Sequence, residues 1–112
     1  MREVVLDTSF ILIAVKQKVD FFEKIENEGF KCIIPLQVFK ELKNLGARLA
    51  LKIILKNKFY ILNIKGKDAD EAILKYAKKN PNAIIATMDQ GLIKKLKNRK
   101  MIIRKIKKIE II

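Results

Sequence analysis

The stretch Glu3-Val4-Val5-Leu6-Asp7-Thr8-Ser9 governs how the rest of the chain is read. A short apolar, β-prone run ends on an aspartate and two hydroxyl residues, and a helix-period segment over 9–16 follows at once. An apolar run without polar alternation reads as a strand buried on both faces, the situation in a parallel sheet covered by helices. In such sheets ligands bind beyond the carboxyl ends of the strands, which makes Asp7 a candidate site residue. The competing reading is a helix N-cap, since Asp is a preferred cap and Thr8 or Ser9 could serve too.

The same alternation recurs along the chain. Apolar runs at 32–35, 59–63, 83–87 and 101–104 read as further strands, and helices are expected over 20–27, 36–45, 47–56, 68–79 and 90–97. Gly29, Gly46, Gly66 and Asn80-Pro81-Asn82 fall between elements, where turns need permissive backbone. Strand followed by helix, repeated, predicts an α/β fold with helices on both faces of a parallel sheet. The tail 102–112 is biased to lysine and isoleucine and could pair as a final strand.

With 112 residues, half of them hydrophobic, the chain can bury one core and is too short for two, so residues 1–112 are expected to form a single domain. The longest apolar stretch, 10–15, is far below the roughly 18 residues that suggest a membrane span, and no signal-peptide layout opens the sequence. A cytoplasmic protein that does not enter the membrane is the expectation. Cys32 is the only cysteine, which excludes an internal disulfide or a cysteine-cluster zinc site and leaves a core-filling role. There is no histidine, so serine–histidine and cysteine–histidine pairs are excluded and any chemistry falls to carboxylates, lysines and hydroxyls. A net charge of +13 favours a polyanionic partner, with nucleic acid foremost; lysine enrichment from a thermophilic source is the alternative cause.

Asp89 follows the strand at 83–87 as Asp7 follows the first, again just before a helix and again open to the capping reading. Asp70 is more specific. The helix that holds it already has a cap in Asp68, with Glu71 three residues on as in a capping box. Helical spacing sets Asp70 over Ile73, Leu74 and Ala77, and Glu71 over Lys75 and Lys78, so Asp70 is expected to point inward and Glu71 outward. Glu41 borders the apolar stripe Val38, Leu42 and Leu45. If these four acids converge they repel one another in a medium of low dielectric, and a cation must sit among them. Oxygen-only ligands select a hard ion, Mg²⁺ or Mn²⁺, which suits phosphate chemistry.

Val5-Leu6-Asp7-Thr8-Ser9, Val38-x-x-Glu41-Leu42, Ala69-Asp70-Glu71-Ala72-Ile73 and Ala86-Thr87-Met88-Asp89 together resemble the successive motifs of the PIN-domain ribonucleases, in order and spacing, over essentially the whole chain. The resemblance implies a three-layer α/β/α domain with about five strands in the order 3-2-1-4-5, and a metal-dependent endoribonuclease active in rRNA processing or RNA maturation. It implies Asp7, Glu41, Asp70 and Asp89 as catalytic metal ligands, and Thr8, Ser9 and Thr87 as supporting or substrate contacts. The short length is similar to archaeal proteins related to small-subunit rRNA-processing endonucleases, with VapC-type toxins the close rival. An antitoxin or ribosome-assembly protein is accordingly an implied partner, and a homodimer is admitted. Gln90 and Gly91 stand where many members carry a further acid or polar residue, and Met88 where Asn is common, so one ion is implied and a second is left unassigned.

Lys94, Lys95, Lys97, Arg99 and Lys100 crowd the segment after Asp89, and Arg104, Lys105, Lys107 and Lys108 continue it. These residues, Lys94 to Lys100 and Arg104 above all, are expected to form a phosphate-binding rim for RNA. With eight aromatics and no tryptophan, base stacking is not the expected grip. Other classes fit less well. A receiver domain expects an acidic pair after its first strand, and a haloacid-dehalogenase-type phosphatase expects Asp-x-Asp where this chain has Asp7-Thr8-Ser9. A PIN-like scaffold that binds RNA or protein without cutting is the non-enzyme alternative.

Overall fold

Residues of β1 (Glu3–Leu6) divide between two cores, and that division explains the layers. Val4 and Leu6 pack into one apolar cluster with Phe10, Ile11, Phe21, Ile34 and Met101, whereas Val5 enters a second with Ile73, Ile85 and Leu92. Successive strand side chains point to opposite faces, so a strand covered on both sides must be apolar throughout. Ile33 and Ile34 of β2 (Lys31–Pro35) split in the same way, as do Ile84 and Ile85 of β4 (Ile84–Ala86).

The computed structural model describes residues 2–112. After β1 come α1 (Thr8–Lys16), α2 (Phe21–Asn27), β2, α3 (Leu36–Asn44), α4 (Arg48–Leu55), β3 (Tyr60–Leu62), α5 (Ala69–Lys79), β4, α6 (Gln90–Lys95), β5 (Lys100–Arg104) and β6 (Lys108–Ile111). The sheet order is β3-β2-β1-β4-β5-β6, parallel from β3 to β5. This is the expected three-layer α/β/α arrangement with one strand added. The tail folds back on β5 as the antiparallel β6, in the register Arg104↔Lys108 and Ile103↔Ile109.

Strand order reverses direction beside β1, so the connections leaving β1 and β4 diverge and a crevice opens at their carboxyl ends. Cys32 is buried in the larger cluster, where desolvation pushes its thiol up to about 12, consistent with a filler and not a nucleophile. Among the expected core positions Leu45 is the exception: α3 ends at Asn44 and leaves Leu45 largely exposed.

Gly66 sits where the loop after β3 crosses the start of α5. A Cβ there would lie 2.8 Å from the backbone nitrogen of Ala72, which cannot yield as a side-chain tip can. Gly66→Ala is therefore expected to cost about 1–3 kcal/mol, the usual scale of forced overpacking, read as a lower midpoint in urea unfolding. An unchanged midpoint would show that the loop moves freely away from α5.

Candidate metal centre at the carboxyl ends of β1 and β4

Asp7 leaves the end of β1 with its backbone N–H donating to the Ala86 carbonyl of β4 (2.9 Å), which fixes it at the switch point. Its side chain is 3% exposed and does not cap α1. Instead Oδ2 accepts hydrogen bonds from the Ser9 hydroxyl (2.6 Å) and the Thr87 hydroxyl (2.9 Å). Thr87 is fully buried, and its Oγ1 also accepts from the Asp89 backbone N–H (3.1 Å), while Ser9 Oγ accepts from the Met88 N–H (3.0 Å). The two hydroxyls thus lace the β1–α1 turn to the β4–α6 turn and hold Asp7 between them.

Asp89 does fulfil the capping reading: its Oδ1 accepts from the backbone N–H groups of Gly91 (2.8 Å) and Leu92 (3.2 Å) at the start of α6. On α3, Glu41 is oriented by the Thr8 hydroxyl, which donates to Oε1 at 2.5 Å. A common design emerges from these three carboxylates. Each has one oxygen engaged by the chain, which sets its orientation, and one oxygen without a hydrogen-bond partner among the described residues.

Asp70 corrects an expectation. It is exposed, not inward, while Glu71 is half-buried and pairs with Lys75 (3.2 Å). Asp68 caps α5 by accepting from the Glu71 N–H (2.9 Å), as expected. In the first turn of α5 Ala69 and Ala72 take the buried side, and Asp70 is left within electrostatic reach of other acids. Desolvation first, and then the negative charges of Asp7, Asp89, Asp68 and Glu41, raise its carboxyl above the ordinary value. That field arises even though a position in a first helical turn by itself favours a charged acid.

The four acids share one electrostatic neighbourhood, and no Lys or Arg forms an ion pair with any of them among the described residues. They do not form a closed cage. Among the described residues no three of the Asp, Glu or Cys side chains stand close enough together to ligate an ion. The two facts are compatible, because Mg²⁺ keeps several of its waters and is typically held by one or two carboxylates directly. The donor set therefore fits a hard, hydrated cation and not an ion enclosed by protein oxygens alone.

Gln37, one turn before Glu41 on α3, was not among the expected site residues. Its Nε2 donates to the carbonyls of Ile64 (2.8 Å) and Gly66 (3.2 Å), which pins the loop leading into Asp68 and α5 against the helix carrying Glu41. The four-residue spacing to Glu41 was the available signal, since it sets both side chains on one helix face.

The basic rim expected beside Asp89 lies mostly elsewhere. Ile85 pairs with Lys100, and the Ile85 N–H donates to the Arg99 carbonyl (3.0 Å), so Arg99 and Lys100 stand where β4 begins, at the opposite edge from Asp89. Asn98 is tied there as well, donating to the carbonyls of Asn80 and Ala83 (3.0 Å each), with Lys97 next to it in the chain. The physical reason is connectivity: α6 carries the chain from the carboxyl end of β4 back to the amino end of β5, with Lys94 and Lys95 at its far end. Only the second part of the expected rim, Arg104 with Lys105, Lys107 and Lys108, returns to the site's edge, and Arg104 Nε is paired there with Glu110 Oε2 (2.7 Å).

A mostly parallel sheet with acids near its switch point, one of them held by a hydroxyl web from both flanking turns, defines a small three-layer α/β domain with an acidic site at the carboxyl ends of its strands. The chain belongs to the PIN-like domain family, whose model matches residues 4–108. It is 35% identical to the ribonuclease VapC4 of Methanocaldococcus jannaschii, over 99% of this chain and 97% of that protein. It is 34% identical to the rRNA-processing protein fcf1 of Schizosaccharomyces pombe over 97% of this chain, but spans only 57% of that longer protein. In three dimensions it is similar to the PIN domain endonuclease Utp24, with a TM-score of 0.85 and 28% identity over 97% of this chain and 90% of the other. A domain of a functionally unknown Methanocaldococcus jannaschii protein shares the fold at 18% identity and a TM-score of 0.55, over 96% of this chain and 95% of that one. No helix among the described residues is long and apolar enough to cross a membrane.

Proposed function

We infer that the chain is an endoribonuclease that hydrolyses RNA phosphodiester bonds with the help of Mg²⁺ or Mn²⁺, held by Asp7, Asp70, Asp89 and Glu41. The observation that carries this reading is the half-engaged carboxylate: Asp7, Asp89 and Glu41 each spend one oxygen on orientation and keep the other without a partner among the described residues, in a neighbourhood negative enough to raise Asp70. An arrangement that sacrifices stability to like-charge repulsion is sensible only if a cation relieves it. A ribonuclease and an rRNA-processing protein among the relatives supply the substrate class.

What such a cation supplies when bound is positive charge that offsets the phosphate and makes a water more acidic. The chain's own contributions are orientation and exclusion. Ser9 and Thr87 hold the Asp7 carboxylate in one rotamer, Thr8 does the same for Glu41, and the first N–H groups of α6 hold Asp89, so no ordering is left to be done when substrate arrives. With no histidine available, the free oxygens of these acids are the groups able to accept a proton from water.

rRNA processing or RNA maturation in the cytoplasm, alongside a ribosome-assembly protein, is the biological setting we propose. A toxin ribonuclease acting on tRNA or another RNA, silenced by an antitoxin, is the second reading; the nearly complete mutual coverage with VapC4 favours it. A homodimer is compatible with either. The deciding assay incubates the protein with rRNA precursor and with tRNA, in Mg²⁺, in Mn²⁺ and in chelator, beside an Asp89→Asn variant. Asn is as good an N-cap as Asp, so α6 is kept while the charge is lost. Divalent-dependent cleavage that disappears in Asp89→Asn is expected. RNA binding with no cleavage at any metal level would establish the non-catalytic scaffold instead.

A further inference from the structure

Beyond the acidic centre, and resting on the RNA reading above, we propose that the β5–β6 hairpin tip, Arg104–Lys108, is the element that grips the RNA backbone next to the cleavage site. Parallel pairing of β5 with β4 sets Met101 level with Ala86, so the tip projects about 10 Å past that level, on the same edge as Asp89. The Ile103 N–H donates to the sulfur of Met88 (3.3 Å), which places the hairpin directly against the residue before Asp89.

Four of the five tip residues are cationic. Glu110 engages Arg104 (2.7 Å) and Lys108 (3.7 Å), while Lys105 and Lys107 have no ion pair among the described residues. A centre of four acids repels phosphate, so a polyanion can approach only if cations stand close by, and the hairpin provides them where the basic residues between Lys94 and Lys100 do not.

The backbone of the turn gives independent support. Lys105 and Lys107 both adopt positive φ, at 52° and 64°, with Ile106 between them 78% exposed. Left-handed turn positions are naturally filled by Gly or Asn, so long cationic side chains there carry a backbone cost that the fold does not require. The Lys107 N–H donates to Gln17 Oε1 (2.9 Å) at the end of α1, which holds the strained turn in place. Strain kept at an exposed, charged tip beside a nuclease centre fits a contact surface for the substrate.

The test is a Lys105→Gly/Lys107→Gly pair, which removes both charges and relieves the backbone together. It is made in an Asp7→Asn background, so that binding to fluorescent single-stranded RNA is measured in Mg²⁺ across a salt series without cleavage. The expected result is a Tm equal to or above that of the parent, about tenfold weaker binding near physiological salt, and a log–log salt slope shallower by about 1.4, the contribution of two phosphate contacts. An unchanged slope overturns the hairpin proposal while leaving RNA recognition intact, and so does a larger loss in Lys97→Ser/Arg99→Ser at the opposite edge. No RNA binding by the parent overturns the RNA reading itself, and the hairpin proposal with it.

Discussion

Asp7→Asn is expected to lower RNA cleavage by about a hundredfold or more while leaving the fold intact. The structural side of the change is small. Asn offers one oxygen that can accept the Ser9 and Thr87 hydroxyls as Oδ2 does, and its backbone bond to Ala86 is unaffected. The chemical side is large, because the oxygen that has no protein partner becomes an amide nitrogen that cannot hold a cation or accept a proton. Single-turnover cleavage at saturating Mg²⁺, beside a thermal melt, separates the two effects. Activity retained above a tenth of the parent's would remove Asp7 from the centre.

Asp70→Asn carries the second large effect, with an unusual signature: lower activity, again by about a hundredfold, together with higher stability when no divalent ion is present. Burial and the charges of Asp7, Asp89, Asp68 and Glu41 raise the Asp70 carboxyl in the folded protein. A carboxyl raised on folding helps stability below its unfolded value, near 3.9, and that help is lost as pH rises through the folded value. At neutral pH the charged Asp70 is therefore a net cost, and removing its charge is stabilising. Because the group is largely solvent-exposed, screening limits the gain to less than about 1 kcal/mol, a Tm rise of a few degrees at most. The gap between variant and parent should close as pH falls toward 4 and should narrow or reverse when Mg²⁺ is added, since only the parent has the charge that the ion relieves. A variant less stable than the parent at pH 7 without metal would mean that Asp70 is held by some favourable partner.

Much of this was legible from local pattern. The apolar run before Asp7, and its repetition, marked the strands because a sheet covered on both faces must be apolar on both. Asp68 could be read as the cap of α5 because a cap acts on backbone three residues away, and that distance is local. The role of Asp89 as a cap was legible for the same reason, although its second, outward oxygen is a matter of tertiary placement. Helical spacing alone does not set Asp70 inward, because in the first turn of α5 Ala69 and Ala72 take the buried side and leave Asp70 exposed.

The basic segment after Asp89 shows the same limit more sharply. Nearness in sequence suggested nearness to the site, but a helix of six residues spans about 9 Å and delivers its end to the other edge of the sheet. Conversely, Ser9 and Thr87 stand 78 residues apart and both bind Asp7 Oδ2. Gln37 joins α3 to the loop before α5 across 27 and 29 residues.

What the amino-acid order alone determined is the set of elements, the parallel α/β class, the four acids and the exclusion of histidine and disulfide chemistry, since these follow from periodicity and residue type. Packing in three dimensions settles which oxygens are spent on orientation and which remain free, where the cations fall relative to the acids, and that the tail, able by its sequence to pair as a final strand, does so antiparallel to β5. The reason is that hydrogen bonds and charges act over a few ångströms of space, and which residues share that space is decided by strand order, a property of the packed whole.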